Sequence, residues 1–545
     1  MALTSVWNNT GILAGVSGVS LHHLLFRHGE WDTKSSNIAL SYLCATLIGG
    51  AYLLHSPITL NGLVIISASD FLLLIAYHFL GMLGSILVYR GLFHRLSRFP
   101  GPFGARLSTL YLTIQTCKRM KIHQDVHQIH QQYGDYVRVG PMEVSIIDPA
   151  ALNPLYGNAS ETAKGPLYIL MEPLDGLVFT RDKREHALRR KIVDQSLSSK
   201  ALVTYEPVIA KCTEQLLQII ESRSGNPLNI TDWLKRYSFE IMGHLIFGRP
   251  FNTISEEGGD TFLLDSIQSD TVMMGYLRHM PWIPALLIKT PFFRKTNTRF
   301  WTWLETNFRH RTENGSQNPD IFSWLLSAHE KSPKTRLDTY KLHGLGYSTL
   351  LAGSDTSFSA ATNVFFNLAR DRALAHKLQQ ALDDVPDMSE HNLRKIDLLN
   401  AVIYETLRLY PPAAAGFQRI TPKEGIRIGE NYIPGNVLVQ IPIYSIHRDE
   451  RSFERPEEFL PERWTTRPEL VKNRSLFIPF QTGPYACPGR QLAMMELRRV
   501  TAEVFRRYDV SLAPGQTEQD FLKESPDLMV VIPASLHLQF TLRGG

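Results

Sequence analysis

Cysteine is scarce in this sequence: 545 residues contain four, Cys44, Cys117, Cys212 and Cys487. They are scattered and form no C-x-x-C, which argues against a disulfide framework or a structural zinc site and suits a reducing compartment. Cys44 lies in an apolar run, and Cys117 and Cys212 sit in helical surroundings, where a buried small hydrophobe is expected. No G-x-G-x-x-G follows a strand pattern, so the chain carries no nucleotide fingerprint of its own. Internal repeats and low-complexity tracts are missing too. Charge of one sign is also in short supply: the net +5 is too mild to argue a nucleic-acid partner. What is present is ordinary globular material, 44% hydrophobic and 20% charged, in a chain long enough for one large domain with an appendage and a deep buried site.

The appendage comes first. Three apolar stretches occupy 10–26, 38–54 and 60–88, each able to approach or cross a bilayer about 30 Å thick. A basic leader with one short apolar core, the mark of a cleaved signal peptide, is not seen, so retained membrane helices are expected. Arg27 and Lys34 fall in the first loop, and Arg90, Arg95 and Arg98 follow the third stretch. The positive-inside rule then puts the N-terminal tail in the lumen, where the sequon at Asn8 is open to glycosylation, and everything after Arg98 in the cytosol. Asp70, inside the third stretch, leaves a second reading: one anchor at 71–88, with the earlier stretches lying at the interface. The segment "RFPGPFG" stiffens and turns the chain. It sets the expected boundary near Phe99, between a membrane-anchoring region 1–98 with up to three transmembrane helices and a globular domain 99–545.

Within that domain helical periodicity dominates, over 201–222, 232–247, 341–370 and 393–409. Strand-like pieces are short: "YVRVG", "EVSIID", "IRIGENYIPGNVLVQIP", "LMVVIP" and "LHLQFTL". A mainly α fold with small β-sheets follows. Near the end, "FIPFQTGPYACPGRQLAMMELRR" sets Cys487 between two glycines and ahead of a helical pattern. A thiolate is a strong iron ligand, and one cysteine can hold haem where the loop lets the porphyrin approach closely. Gly483 and Gly489 suit that approach, Phe480 can shield the sulfur, and the amides and dipole of the following helix can steady its negative charge.

The spacing F-x-x-G-x-x-x-C-x-G, as Phe480, Gly483, Cys487 and Gly489, resembles the haem-binding loop of the cytochrome P-450 family. Three further segments resemble landmarks of that family in the right order, and the likeness runs from Phe99 onward. In "YETLRLYPP", Glu405 and Arg408 are three apart and share a helix face; "FLPERW" offers Arg463. The resemblance implies that these three lock the core beneath the haem loop, and a buried set of this kind must be fully partnered. In "LLAGSDTSFSAAT", a glycine inside a helix costs about 1 kcal/mol relative to alanine, so Gly353 calls for a reason, and space for dioxygen is one. Asp355 and Thr356 follow, an acid and a hydroxyl suited to relaying protons. In "REHALRRK", His186 and Arg190 are spaced i, i+4 and by resemblance reach the haem propionates, as does Arg419 in "GFQRI". Two positions depart from the pattern: Tyr485 stands where arginine or histidine is frequent, and Gln481 where glycine is frequent. Both bear on propionate contacts and not on iron ligation.

The resemblance implies a cytochrome P-450 fold preceded by transmembrane helices, with haem b (iron protoporphyrin IX) held by Cys487 as axial ligand. It implies a monooxygenase that inserts one oxygen atom of O2 into a lipophilic small molecule. Electrons must come from outside, from an NADPH-cytochrome P-450 reductase docking behind the thiolate at Arg490, Arg498 and Arg499. The implied location is the endoplasmic reticulum membrane, with the haem domain facing the cytosol. Segments expected at the substrate, "GPLYILMEPLDGLVF", "LGYSTLLAG", "PAAAGF" and "SPDLMVVIP", are mainly apolar. Small Ala413, Ala414, Ala415 and Gly416 suggest room for a bulky terpenoid, polyketide or alkaloid. The haem loop and multi-span N-terminus resemble fungal members serving specialised metabolism. Desaturation, oxidative coupling, isomerisation and a non-catalytic haem protein stand as alternatives; the acid and hydroxyl pair speaks against the last two.

Overall fold

Apolar side chains divide the molecule: up to Phe93 many stay on the outside of helices, and from Leu96 on most turn inward. The structure, a computed structural model, describes all residues except 1, 29–30, 32–33, 61–62, 172–175, 256–261, 288–297, 316–318, 332–335 and 545. The first region holds helices Ala2–Leu21, Ser35–His55 and Ala68–Val88, the last continuing to Phe93. Among the described residues, Ser35–His55 and Ala68–Phe93 are long and apolar enough to cross a membrane. Ala2–Leu21 lies along the third helix. A Cβ on Gly18 would sit 2.0 Å from the His78 carbonyl oxygen, and one on Gly81 would sit 2.1 Å from that of Gly15. The two helices therefore cross where only glycine fits, as small residues allow in lipid. His78 ties in the second helix as well, bonding Ser17 Oγ at 2.8 Å and Tyr42 OH at 3.2 Å.

The third apolar stretch differs from the expected continuous span. Strands Ile58–Leu60 and Leu63–Ile66 pair antiparallel ahead of the helix. Ser67 then caps the helix in a reciprocal box: its amide donates to Asp70 Oδ2 at 2.9 Å, and the Asp70 amide donates to Ser67 Oγ at 3.3 Å. Asp70 thus belongs to the first helical turn, where its carboxylate satisfies an otherwise orphaned amide.

Leu96 and Phe99 already belong to a buried cluster with Val144, Ile146 and Val439, so packing of the globular domain begins just before Phe99. The long helix Arg336–Arg370 runs through the main core, where Tyr347, Leu350, Phe358 and Val364 are buried. Helices Ile230–Met242, Asp397–Leu409 and Arg490–Arg507 pack on it. A five-stranded sheet runs in the order Tyr136–Gly140, Glu143–Ile146, Leu438–Gln440, Arg419–Ile420, Ala163–Lys164. Its last pairing sets Lys164 directly opposite Arg419. A three-stranded sheet joins Tyr508–Leu512, His537–Leu542 and Leu228–Asn229. The expected strand "LMVVIP" is instead a turn with a single bridge, Asp527 to Val531, because Met529 adopts a left-handed φ of 78°. Of the three cysteines expected to be buried, Cys212 is and Cys44 and Cys117 are not: Cys44 lies on an outward face of Ser35–His55, and helix Leu110–Arg119 turns Leu112, Thr113 and Thr116 inward, leaving Cys117 exposed.

Candidate active site

The cysteine loop folds back on itself before its helix begins. The Gln481 amide donates to the Ile478 carbonyl at 3.0 Å, and the Cys487 amide donates to the Phe480 carbonyl at 2.8 Å. Gln481 sits at φ 61°, a conformation that costs an L side chain roughly 1–2 kcal/mol, which is a reason for glycine to be favoured there. Here the glutamine uses its Oε1 to accept the Thr482 amide at 2.9 Å. Gly483 is also left-handed, at φ 68°, and a Cβ on it would lie 2.0 Å from the Tyr156 carbonyl oxygen. That glycine answers to a backbone crossing. Gly489 differs: its φ is −79°, and a Cβ would meet only Cys487 Sγ, at 3.8 Å, so the space beside the sulfur stays open.

Cys487 lies deep enough for burial to push its thiol up, yet its side chain is exposed. Both hold if the sulfur faces an internal space walled by protein. Against burial, the amides of Gly489 and Arg490 and the guanidinium of Arg190 pull the thiol down. The amides open helix Arg490–Arg507, whose dipole favours negative charge at this end. Phe480 packs on the core, with the Arg490 guanidinium 5.8 Å from its ring centre.

Beneath this loop, Glu405 accepts five hydrogen bonds. Arg408 donates from Nε and Nη2 at 3.0 and 2.8 Å, Arg463 from Nε at 2.9 Å, Trp464 from Nε1 at 2.9 Å and Leu460 from its amide at 2.9 Å. The remaining guanidinium donors of Arg408 go to the carbonyls of His447, Pro456 and Glu458. Those of Arg463 go to Glu454, Leu470 and Arg455. All three charged side chains are completely buried and fully partnered. His447 carries the network to the loop: its Nε2 accepts the Ile478 amide at 3.0 Å, while its other ring nitrogen bonds the Arg408 carbonyl. Sequence reasoning missed Trp464 and His447; the tryptophan beside Arg463 was the available signal.

On the long central helix, Ala352 is exposed between half-buried Leu351 and Gly353, while Leu350 and Phe358 to either side are core residues, so the helix opens at this turn. Gly353 has a packing reason: a Cβ there would lie 2.7 Å from Met242 Sδ. Thr356 is half-buried and donates from Oγ1 to the Ala352 carbonyl at 2.6 Å. Asp355 is buried, and burial pushes its carboxyl up to about 7, opposed by the charge of Lys235. No hydrogen bond between Asp355 and Thr356 is found among the described residues; the hydroxyl is turned onto its own helix, whereas the buried acid feels the charge of Lys235.

Basic groups gather around the Tyr485 ring. The Arg419 guanidinium stands 4.5 Å from its centre, Lys164 Nζ 5.1 Å, and the His186 ring 4.6 Å edge-on. Burial, with Lys164, Arg190 and Arg419 adding to it, pushes His186 down to about 3, so the imidazole is neutral. Arg190 donates to the carbonyls of Pro484 and Ala486 and to Asp194. Arg419 is buried, and its Nε has no partner among the described residues. Tyr485 thus serves as an aromatic platform for cations. Lys164 reaches the site only through the strand pairing with Arg419, which its own sequence neighbourhood does not announce. A cleft of about 600 Å³ beside the loop is lined by Lys183, His186, Arg190, Lys191, Pro484 and Tyr485, and it does not include Cys487. This donor set fits haem: a sulfur with an open side, and beside it buried cationic groups, one with an unused N–H, suited to carboxylates.

Two expectations need correction. Ala414 and Ala415 are buried in the core, and Gly416, at φ 86°, is held 2.1 Å from the Ile441 carbonyl oxygen when given a Cβ, so these small residues reflect packing and not pocket space. Arg498 is buried, with its guanidinium committed to Asn400 and Glu390, and Arg499 bonds Met388 and Glu503. Of the three arginines expected at a docking face, Arg490 alone is exposed. In the expected substrate segment 165–179, residues 172–175 lie outside the described residues.

A family model described as cytochrome P450 matches residues 100–540. A cytochrome P-450 monooxygenase of Eupenicillium brefeldianum is 49% identical, over 87% of this chain and 96% of its own length. Another, of Fusarium pseudograminearum, is 41% identical over 97% of both chains. Tryprostatin B 6-hydroxylase of Aspergillus fumigatus is 33% identical, over 92% of this chain and 91% of its own. With a cysteine loop of this form, a mainly helical fold and relatives over nearly the whole length, the chain belongs to the cytochrome P-450 family of haem-containing monooxygenases, oxidoreductases that take O2, a redox partner and a small-molecule substrate.

Proposed function

We propose that this chain hydroxylates a lipophilic small molecule in specialised metabolism, using haem b held by Cys487. The observation that carries the reading is the accessible Cys487 sulfur at the start of helix Arg490–Arg507, with the open turn at Ala352 on the helix packed against it. Haem bound there supplies oxygen activation and insertion into a C–H bond. The chain's own residues then have distinct tasks. Glu405, Arg408 and Arg463 hold the loop still from beneath; Arg419, Arg190 and neutral His186 bind carboxylates at the edge. Asp355, poised near neutral pH, exchanges protons with the outside through the Lys235 side, and the Thr356 hydroxyl passes them inward after rotating off the Ala352 carbonyl.

Electrons come from a membrane-bound NADPH-cytochrome P-450 reductase. Its acidic face would meet exposed Arg490 with Lys183 and Lys191 of the adjacent cleft. The apolar N-terminal helices favour the endoplasmic reticulum membrane, with the haem domain cytosolic and Asn8 a luminal glycosylation site. Similarity to a fungal hydroxylase named for tryprostatin B supports specialised metabolism without fixing the substrate. The test is the metabolite profile of the host with and without the gene under labelled dioxygen. A product carrying one labelled oxygen more than an accumulated precursor is expected; a pair differing by two hydrogens, without label, would make desaturation or coupling the main reaction. In the purified protein, the red-shifted ferrous carbon monoxide band should be lost in Cys487→Ala, and its persistence would remove Cys487 as the ligand.

A further inference from the structure

Arg138, on strand Tyr136–Gly140, is one of the largest fully buried side chains, at 0% exposure. Its described hydrogen bonds all run to main-chain carbonyls. Nε donates to Gly140 at 3.3 Å, Nη2 to Pro141 at 2.8 Å and to Arg106 at 3.4 Å, and Nη1 to Arg90 at 3.1 Å. Burial, with the charges of Arg106 and Arg90 adding to it, lowers its pKa to about 10. A guanidinium so placed needs negative potential from elsewhere. Two helix ends supply it: Arg90 lies in the last turns of the helix that ends at Phe93, and Arg106 in the last turn of Phe103–Leu107. Unsatisfied carbonyls and the negative ends of both helix dipoles meet at this point.

The junction around it leaves no slack. The Arg138 amide donates to the Pro100 carbonyl at 2.7 Å, and a Cβ on Gly101 would lie 2.3 Å from the Arg138 carbonyl oxygen. Arg90 Nη1 donates in turn to the Leu107 carbonyl at 3.0 Å, and His94 Nε2 lies 3.0 Å from Met142 Sδ. A Cβ on Gly91 would touch both Leu107 and Phe103, so the helix end packs closely on Phe103–Leu107, and Leu92, Phe93 and Phe103 form an exposed apolar rim of this junction.

We propose that Arg138 clamps the last turns of the membrane-exit helix to the catalytic domain and so fixes the angle at which that domain sits on the bilayer. The proposal rests on the reading of Ala68–Phe93 as a membrane span. The anchor is then a rigid extension of the domain through "RFPGPFG", and the apolar rim is held at the level of the lipid.

The test uses the full-length holoenzyme in lipid nanodiscs, with the haem angle to the bilayer measured by polarised absorption and the junction probed by limited trypsinolysis after Arg95 or Arg98. In Arg138→Met, with haem content and carbon monoxide band kept, the angle should shift or broaden and cleavage should run about tenfold faster, as the open junction becomes more populated. An unchanged angle and unchanged cleavage in that haem-loaded variant would overturn the clamp. Should Arg138→Met fail to load haem, insertion of two glycines between Phe93 and His94 moves the Arg90 carbonyl away and leaves the bonds of Arg138 within the domain intact. It should reproduce the loosening, and a wild-type angle there would overturn the clamp equally. Flotation of the wild type with vesicles after alkaline extraction separates the two layers: loss from the vesicles contradicts the membrane span itself, whereas retention with an unmoved angle contradicts only the clamp.

Discussion

Asp355 and Thr356 are neighbours in sequence with opposite surroundings. Successive helical residues point about 100° apart, so one side chain is buried within range of the Lys235 charge while the other stays half-buried and bonded to the Ala352 carbonyl. Burial raises the Asp355 carboxyl from its ordinary 3.8 to about 7, which makes it able both to take and to give a proton at neutral pH. The profile of turnover number against pH should carry an ionisation near 7, and Asp355→Asn should remove it and slow turnover at least tenfold while substrate binding is kept. A variant with the wild-type profile would exclude Asp355 from proton delivery. Thr356→Ala should leave the ionisation in place and instead divert reducing equivalents to peroxide, seen as NADPH consumed without product.

At the scale of elements, two buried carboxylates on helices near the cysteine loop behave in opposite ways. Glu405 on Asp397–Leu409 has five donors, so Glu405→Ala would strand two buried guanidinium groups at a cost of roughly 3–5 kcal/mol. The expected result is loss of haem and of folded yield, and a haem-loaded Glu405→Ala protein of normal stability would contradict it. Glu496 on Arg490–Arg507 is buried with neither carboxylate oxygen satisfied by geometry, and Ser357 is the neighbour that eases its charge. Burial raises it from 4.5 to about 8. The folded state therefore holds a proton that the unfolded state has lost: this contribution is intact below pH 4.5 and is lost as pH rises through 8, on the order of 5 kcal/mol in all. Glu496→Gln should match the wild type in acid and exceed it above pH 8 in urea unfolding; equal slopes with pH would mean the carboxyl finds a partner when ionised. How legible these elements were follows the same logic. Glu405, Arg408, Arg463 and the cysteine loop lie in short contiguous segments, and contiguous spacing can be read directly. Lys164, His447 and Tyr485 acquire their setting by strand pairing and packing over hundreds of residues, which no local pattern encodes. Ala414 and Ala415 misled for a related reason, and Gly353 has a packing contact with Met242 besides: a small residue signals that something comes close, and only the fold tells whether that is a ligand or another helix.

For the whole molecule, the decisive relation is the direction of the first helix. Gly11 meets Tyr77, Gly18 meets His78 and Met82, and His22 meets Ser85, so positions rise together and Ala2–Leu21 runs parallel to Ala68–Val88. If the third helix leaves the membrane toward the catalytic domain and the first crosses beside it, the two run in the same sense, with Ser35–His55 returning in the opposite one. Exposed Leu13, Leu47, Ile48 and Leu80 then face lipid, and His78, bonded to both other helices, is satisfied inside the bundle. The positive charges at Arg27, Lys34 and Arg90 accord with that orientation. The tail should therefore lie across the membrane from the haem. Asn8 is close to the bilayer, so the sharper probe is an N-terminal extension carrying an added sequon, expressed in microsomes. It should gain an endoglycosidase-sensitive glycan and resist added protease. Gly81→Leu should lower the glycosylated fraction by forcing the parallel pair apart, since a side chain there would run into the Gly15 backbone. An extension that stays unglycosylated and is cut from the cytosolic side would place the first helix at the interface, leaving Ala68–Phe93 to hold the catalytic domain on its own.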